Sequence, residues 1–244
     1  MPIGSTPKKA ASEIRAELKR GGSPEHARGV QWFFKEHVKS HGWYTDDLRA
    51  LARKTRRQIL DEHGFEFLVQ VADKLFTGRV LEEKVFGVLL LENLPSQLHA
   101  SHFDLLESWI ARISCWADHD ALVHYLIAPM VAADRRRRKR VFAWAKSADR
   151  WHRRAASVAL IQGRRQREFF PDTILLANLL VTDKDEMVQK GLGWLLRVSA
   201  KADSELTIPY LMSIRERAPR LVLRTATETL TPVERERILA KRVK

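Results

Sequence analysis

Apolar residues recur along the chain at intervals of three and four, the spacing of one helix face, and no stretch alternates apolar and polar with period two. The pattern predicts helices over 65–76, 81–94, 103–113, 116–132, 135–145, 151–162, 171–181, 186–200, 205–217, 220–230 and 232–242, joined by short turns. Upstream, residues 1–22 are rich in Pro, Ser, Ala and Lys and read as a partly flexible lead with one short helix near 12–18. Gly21-Gly22-Ser23-Pro24 stops that lead and restarts the chain, with Ser23 placed as N-cap and Pro24 as first helical residue. The helix that follows carries Val30, Phe33, Phe34 and Val38 on its apolar stripe and ends at Gly42. Thr45 then caps another, in which Leu48, Leu51, Ala52 and Ile59 repeat at helical spacing. The expectation is an all-α fold with its helices in antiparallel pairs, residues 23–244 forming one domain.

Internal similarity narrows the architecture. The segment 149–160 (DRWHRRAASVAL) can be laid on 185–196 (DEMVQKGLGWLL) and on 219–230 (PRLVLRTATETL). Each ends on Leu and carries a base at its sixth place, namely Arg154, Lys190 and Arg224. Offsets of 36 and 34 residues suit HEAT-like helical hairpins stacked in an α-α superhelix. Inner helices of such a solenoid line a concave surface, so a base in every unit would make a positive, DNA-binding groove.

Composition agrees with a polyanion partner. The 244 residues are 45% hydrophobic and 30% charged, and their formal net charge is +13. A surplus of that size attracts nucleic acid first and anionic surfaces second. Cys115 is the sole cysteine, which excludes an internal disulfide framework and a cysteine-based zinc site. No apolar run reaches the length of a membrane span and no signal-peptide core opens the chain, so it reads as cytoplasmic, and nucleoid-associated when on DNA. There is no Gly-rich phosphate loop and no metal spacing among the nine histidines, so neither cofactor nor metal is expected.

Candidate chemistry centres on WADHD, residues 116–120. Trp116 and Asp120 are one helical turn apart, at the border of the stripe formed by Leu122, Val123, Leu126, Ile127 and Met130. The alternative is a packed Trp with an Asp that caps a helix or pairs with an Arg. Trp194 lies at a similar border with Lys190, Arg197 and Lys201 at i−4, i+3 and i+7, either a nucleic-acid contact or a core ring covered by aliphatic stems. Arg150, Arg153 and Arg154 form a stripe suited to phosphate, or to ion pairs with an Asp of the adjacent repeat. The run Arg135–Arg140 and the patch Arg53, Lys54, Arg56 and Arg57 read as solvated or non-specific backbone contacts.

These stretches together resemble a known family. Residues 42–49 (GWYTDDLR), 114–122 (SCWADHDAL), 151–156 (WHRRAA) and 188–200 (VQKGLGWLLRVSA) are similar, in order and spacing, to the AlkD-like DNA alkylation repair glycosylases, built from HEAT-like repeats. The resemblance implies excision of N3- and N7-alkylated purines from duplex DNA by a monofunctional glycosylase, a monomer. By position it implies Asp120 as the catalytic carboxylate, Trp116 and Trp194 as sugar-contacting rings and Arg154 as a backbone-binding residue. Cys115 departs from the pattern, since relatives often carry a second aromatic there. From another class, a non-catalytic HEAT-like binder of structured nucleic acid would keep the basic groove but have no need of the Trp116, Asp120 and Trp194 set.

Overall fold

The computed structural model describes residues 3–240, and these divide into two compact units with the division between Leu126 and Ile127. All regular elements among the described residues are helices, none of them long and apolar enough to cross a membrane. The architecture is an all-α helical-repeat fold.

The first unit contains α1 (Pro7–Gly21), α2 (Pro24–Val30), α3 (Thr45–His63), α4 (Phe65–Phe76), α5 (Leu81–Leu91), α6 (Ala100–Ile110) and α7 (Trp116–Leu122). Helix α1 exceeds the short one expected: Thr6 accepts the Lys9 N–H at its start, and Ala10, Ala11, Ile14 and Leu18 are buried. The lead is thus an amphipathic helix packed on α4, while Met1 and Pro2 of the expected flexible stretch lie outside the described residues. Ser23 caps α2 through the His26 N–H, with Pro24 first in the helix, as the sequence predicts.

The expected helix to Gly42 is corrected. Helix α2 ends at Val30 and is followed by one 3-10 turn, Gln31–Phe33, then by irregular chain. Local and long-range polar groups replace the helical bonds there. Gln31 Nε2 donates to the carbonyls of Phe34 and Glu36 at 3.2 and 2.8 Å, and Gln31 Oε1 accepts from Val38 N. The buried Glu82 carboxylate then collects the Ser40 hydroxyl and the N–H groups of His41, Gly42 and Trp43. Gly42 sits at φ +78°, and a Cβ there would meet the Ser23 carbonyl oxygen at 2.1 Å, so this loop requires glycine. Thr45 proves to be the first residue of α3, with Tyr44 at the N-cap position.

The second unit holds α8 (Ala128–Ala133), α9 (Arg138–Trp144), α10 (Arg150–Val158), α11 (Phe170–Leu180), α12 (Glu186–Ala202), α13 (Ser204–Ile214), α14 (Arg220–Ala226) and α15 (Pro232–Leu239). The expected end of the last helix, residues 241–242, lies outside the described residues. The three aligned segments become α10, α12 and α14, which pack in succession, with α11, α13 and α15 as the alternate helices. Asp149 and Asp185 do the same job in two of them, accepting the first backbone N–H groups of α10 and α12. Pro219 takes that place in α14 without a side-chain cap.

The GLG stretch of α12 explains the close packing of these inner helices. A Cβ on Gly191 would lie 3.1 Å from Arg154 Cγ on α10, and one on Gly193 would lie 2.6 Å from Thr225 Cβ on α14. Each glycine therefore faces a different neighbour. Gly193→Ala should lower stability in urea or thermal unfolding, because overpacking of about 1–3 kcal/mol exceeds the roughly 1 kcal/mol gained in helix propensity. Gly191→Ala meets its nearest atom at 3.1 Å rather than 2.6 Å and should cost less.

Candidate functional site

The WADHD stretch opens α7, and its polar residues divide into two kinds. Asp118 is wholly buried and accepts the Ser114 and Cys115 N–H groups at 2.9 and 3.0 Å. It also receives the Lys84 ammonium at 3.2 Å, an ion pair whose side chains are 4% and 0% exposed. Lys84 donates further to the Arg112 carbonyl and the Ser114 hydroxyl. This pair fixes the start of α7 against α5.

Asp120 is different. Its side chain is 21% exposed, and its Oδ1 lies 2.7 Å from Nδ1 of His119, which is fully buried. With Asp120 ionised the contact requires a proton on Nδ1, because a carboxylate offers only acceptors. The ring therefore holds one carboxylate oxygen in a set orientation. His124, one turn further on, also faces this charge. Burial holds its imidazole below the ordinary histidine range, opposed by attraction between the protonated ring and Asp120.

Trp116 is 36% exposed. Phe34 stacks on it, with ring centroids 5.1 Å apart, and its Nε1 donates to the Phe33 carbonyl at 3.3 Å. Cys115 is buried, and burial followed by the neighbouring Asp118 charge pushes its thiol up to about 12, which leaves it an unreactive packing residue at neutral pH.

In the second unit the sequence-predicted cations take unequal positions. Arg154, in the basic slot expected to line the groove, is 5% exposed. It lies against Gly191 and donates to the Met187 carbonyl at 2.6 Å. Arg153 binds Asp183 and the carbonyls of Ser147 and Ala148, and Arg150 lies over the Trp151 ring with Asp185 at 3.8 Å. Both therefore pair with aspartates ahead of the next inner helix, the alternative to phosphate binding that the sequence offers. Along α12, Trp194 is half-buried, Lys190 pairs with Glu186, Arg197 with Glu228, and Lys201 is exposed. In the run at 135–140, Arg135, Arg136, Lys139 and Arg140 are exposed, as a solvated face requires, while Asp134 caps the 3-10 turn and Arg138 pairs with Asp172.

Three residues escaped the sequence reading. His119 and His124 flank Asp120 at i−1 and i+4, a spacing that was visible but was judged only for metal binding. Lys84 was hidden in an EEK triplet that resembles an ordinary solvated helix start.

Replacing Lys84 by Met should leave the Asp118 carboxylate buried and unpaired and cost about 3–5 kcal/mol in denaturant unfolding. His124→Gln addresses the pH dependence. A ring held neutral in the folded state contributes stability that is present above its unfolded pKa and lost as pH falls. The melting temperature of the variant should therefore drop less than that of the parent between pH 7.5 and 5.

A family model described as DNA alkylation repair enzyme matches residues 14–230. Among solved structures, a predicted DNA alkylation repair enzyme from Enterococcus faecalis superposes with a TM-score of 0.75 at 16% identity, covering 86% of this chain and 97% of that one. AlkD2 from Streptococcus mutans superposes with a TM-score of 0.63 at 18% identity, covering 90% and 98%. None of the curated proteins matches the chain.

Proposed function

The chain belongs to the DNA alkylation repair enzyme family, and from that premise we propose that it is a monofunctional glycosylase releasing N3- and N7-alkylated purines from duplex DNA. The observation that carries the proposal is the division of labour in WADHD. Asp118 is spent on the fold, while Asp120, oriented by a buried histidine, reaches the surface on the helix that presents the exposed Trp116 ring.

The chemistry suits those groups. An N3- or N7-alkylated purine is already cationic, so it departs without a general acid. Breaking its glycosidic bond builds positive charge on the deoxyribose, and a fixed carboxylate stabilises that charge. Asp120 also orients the attacking water or takes its proton. The indole face of Trp116 attracts the same developing cation. Trp194, to which the resemblance gives a sugar-contacting role, serves as an aromatic DNA contact of the second unit. Lys190 and Lys201, with Arg150 and Arg197, carry charge toward phosphate, whereas Arg153 and Arg154 secure α10. A protein of this kind works as a monomer on duplex DNA in the cytoplasm, where it is nucleoid-associated, and needs neither metal nor cofactor.

Asp120→Asn preserves the shape of the side chain and removes its charge. It should bind duplex DNA as the parent does and release N7-methylguanine roughly 10²- to 10³-fold more slowly. Parental release by this variant would refute the role of Asp120.

A further inference from the structure

The chain between α2 and α3 carries the most exposed aromatic residues described in this protein. Trp32 is 91% exposed and Phe33 73%. Exposing two large rings costs hydrophobic free energy, and nothing in a loose surface loop would require it. This turn is not loose. Gln31 ties it internally through three hydrogen bonds, Glu82 anchors the loop that follows, and Phe34 is stacked on Trp116. The Trp116 Nε1 bond to the Phe33 carbonyl sets the turn in register with the ring of the candidate site.

We propose that Gln31–Phe33 is a second DNA contact, in which Trp32, supported by Phe33, inserts at a base step beside the damaged nucleotide. The proposal rests on the DNA-repair reading above but assigns these rings no part in bond cleavage. Two further observations favour DNA over an apolar protein partner. Exposed Arg28, Lys35 and Lys39 interleave with the aromatics, and His37, Lys39 and Arg79 line a neighbouring cavity of about 230 Å³. Rings set among cations match a stack of bases between phosphate strands. A rigid turn also lowers the entropy lost on insertion.

Binding to duplex DNA, undamaged or containing an abasic-site analogue, tests this by fluorescence anisotropy on the full chain. Trp32→Ala should raise Kd roughly 5- to 150-fold, the range for losing one stacked base. The slope of log Kd against log salt should stay that of the parent, because the ring touches no phosphate. Trp32→Phe should recover most of the affinity, and Trp32→Lys should still bind more weakly than the parent despite its added charge. With 2-aminopurine at the step beside the abasic analogue, the parent should change its fluorescence on binding and Trp32→Ala should not.

Parental affinity in Trp32→Ala or Trp32→Lys would overturn the proposal. So would a sedimentation result in which Trp32→Ala dissolves a dimer while DNA binding is intact, since the rings would then serve self-association. Failure of the glycosylase reading is separable: no base release together with Trp32-dependent binding would remove the enzyme and leave this contact standing. Base release with Trp32-independent binding would do the reverse.

Discussion

Three consecutive charged side chains at the start of α5, Glu82, Glu83 and Lys84, are all buried, and the first unit depends on them. Each reaches a different segment. Glu82 gathers the loop through Trp43, Glu83 receives Arg15 from α1 at 3.1 Å, and Lys84 donates to Asp118 of α7. Placing charges in the interior costs several kcal/mol each, and only full pairing offsets it. That demand makes the arrangement specific, because a displaced loop or helix would strand a charge. The two glutamates also lie in the first turn of α5, where the helix dipole favours negative charge.

The consequence reaches the site. With Asp118 held beneath the start of α7, helical geometry presents Trp116 and Asp120 at the border between core and solvent. The Glu82 network places the aromatic turn by steering the chain that follows it, and Phe34 of that chain packs on Trp116. The groups that face outward are therefore positioned by buried charges rather than by their own contacts with solvent.

Much of this was legible in the sequence. Helix α4 runs over the residues that periodicity assigns to it, α2 starts at its predicted cap, and the three repeat segments become α10, α12 and α14. Periodicity failed at 31–42, where apolar residues at helical spacing belong to a turn held by Gln31 and a loop held by Glu82, about forty residues away in sequence. No local signal announces a partner at that range. The spacing of Asp120 to Trp116 was legible, but the pairing of Asp118 with a lysine two helices earlier was not. The repeated basic slot was legible as a pattern, though not in its exposure. Arg154 is buried because Gly191 lets α12 approach α10, while Arg224 in the same slot is exposed.

In the proposed reaction an oriented surface carboxylate serves a leaving group that already bears positive charge. The most direct measurement incubates the parent protein with duplex DNA containing N7-methylguanine and a matched duplex containing neutral 7-deazaguanine, and quantifies released base and strand breaks. The expected result is release of 7-methylguanine alone, leaving abasic sites in an uncut strand. Tight binding to both duplexes with no base released from either would contradict it.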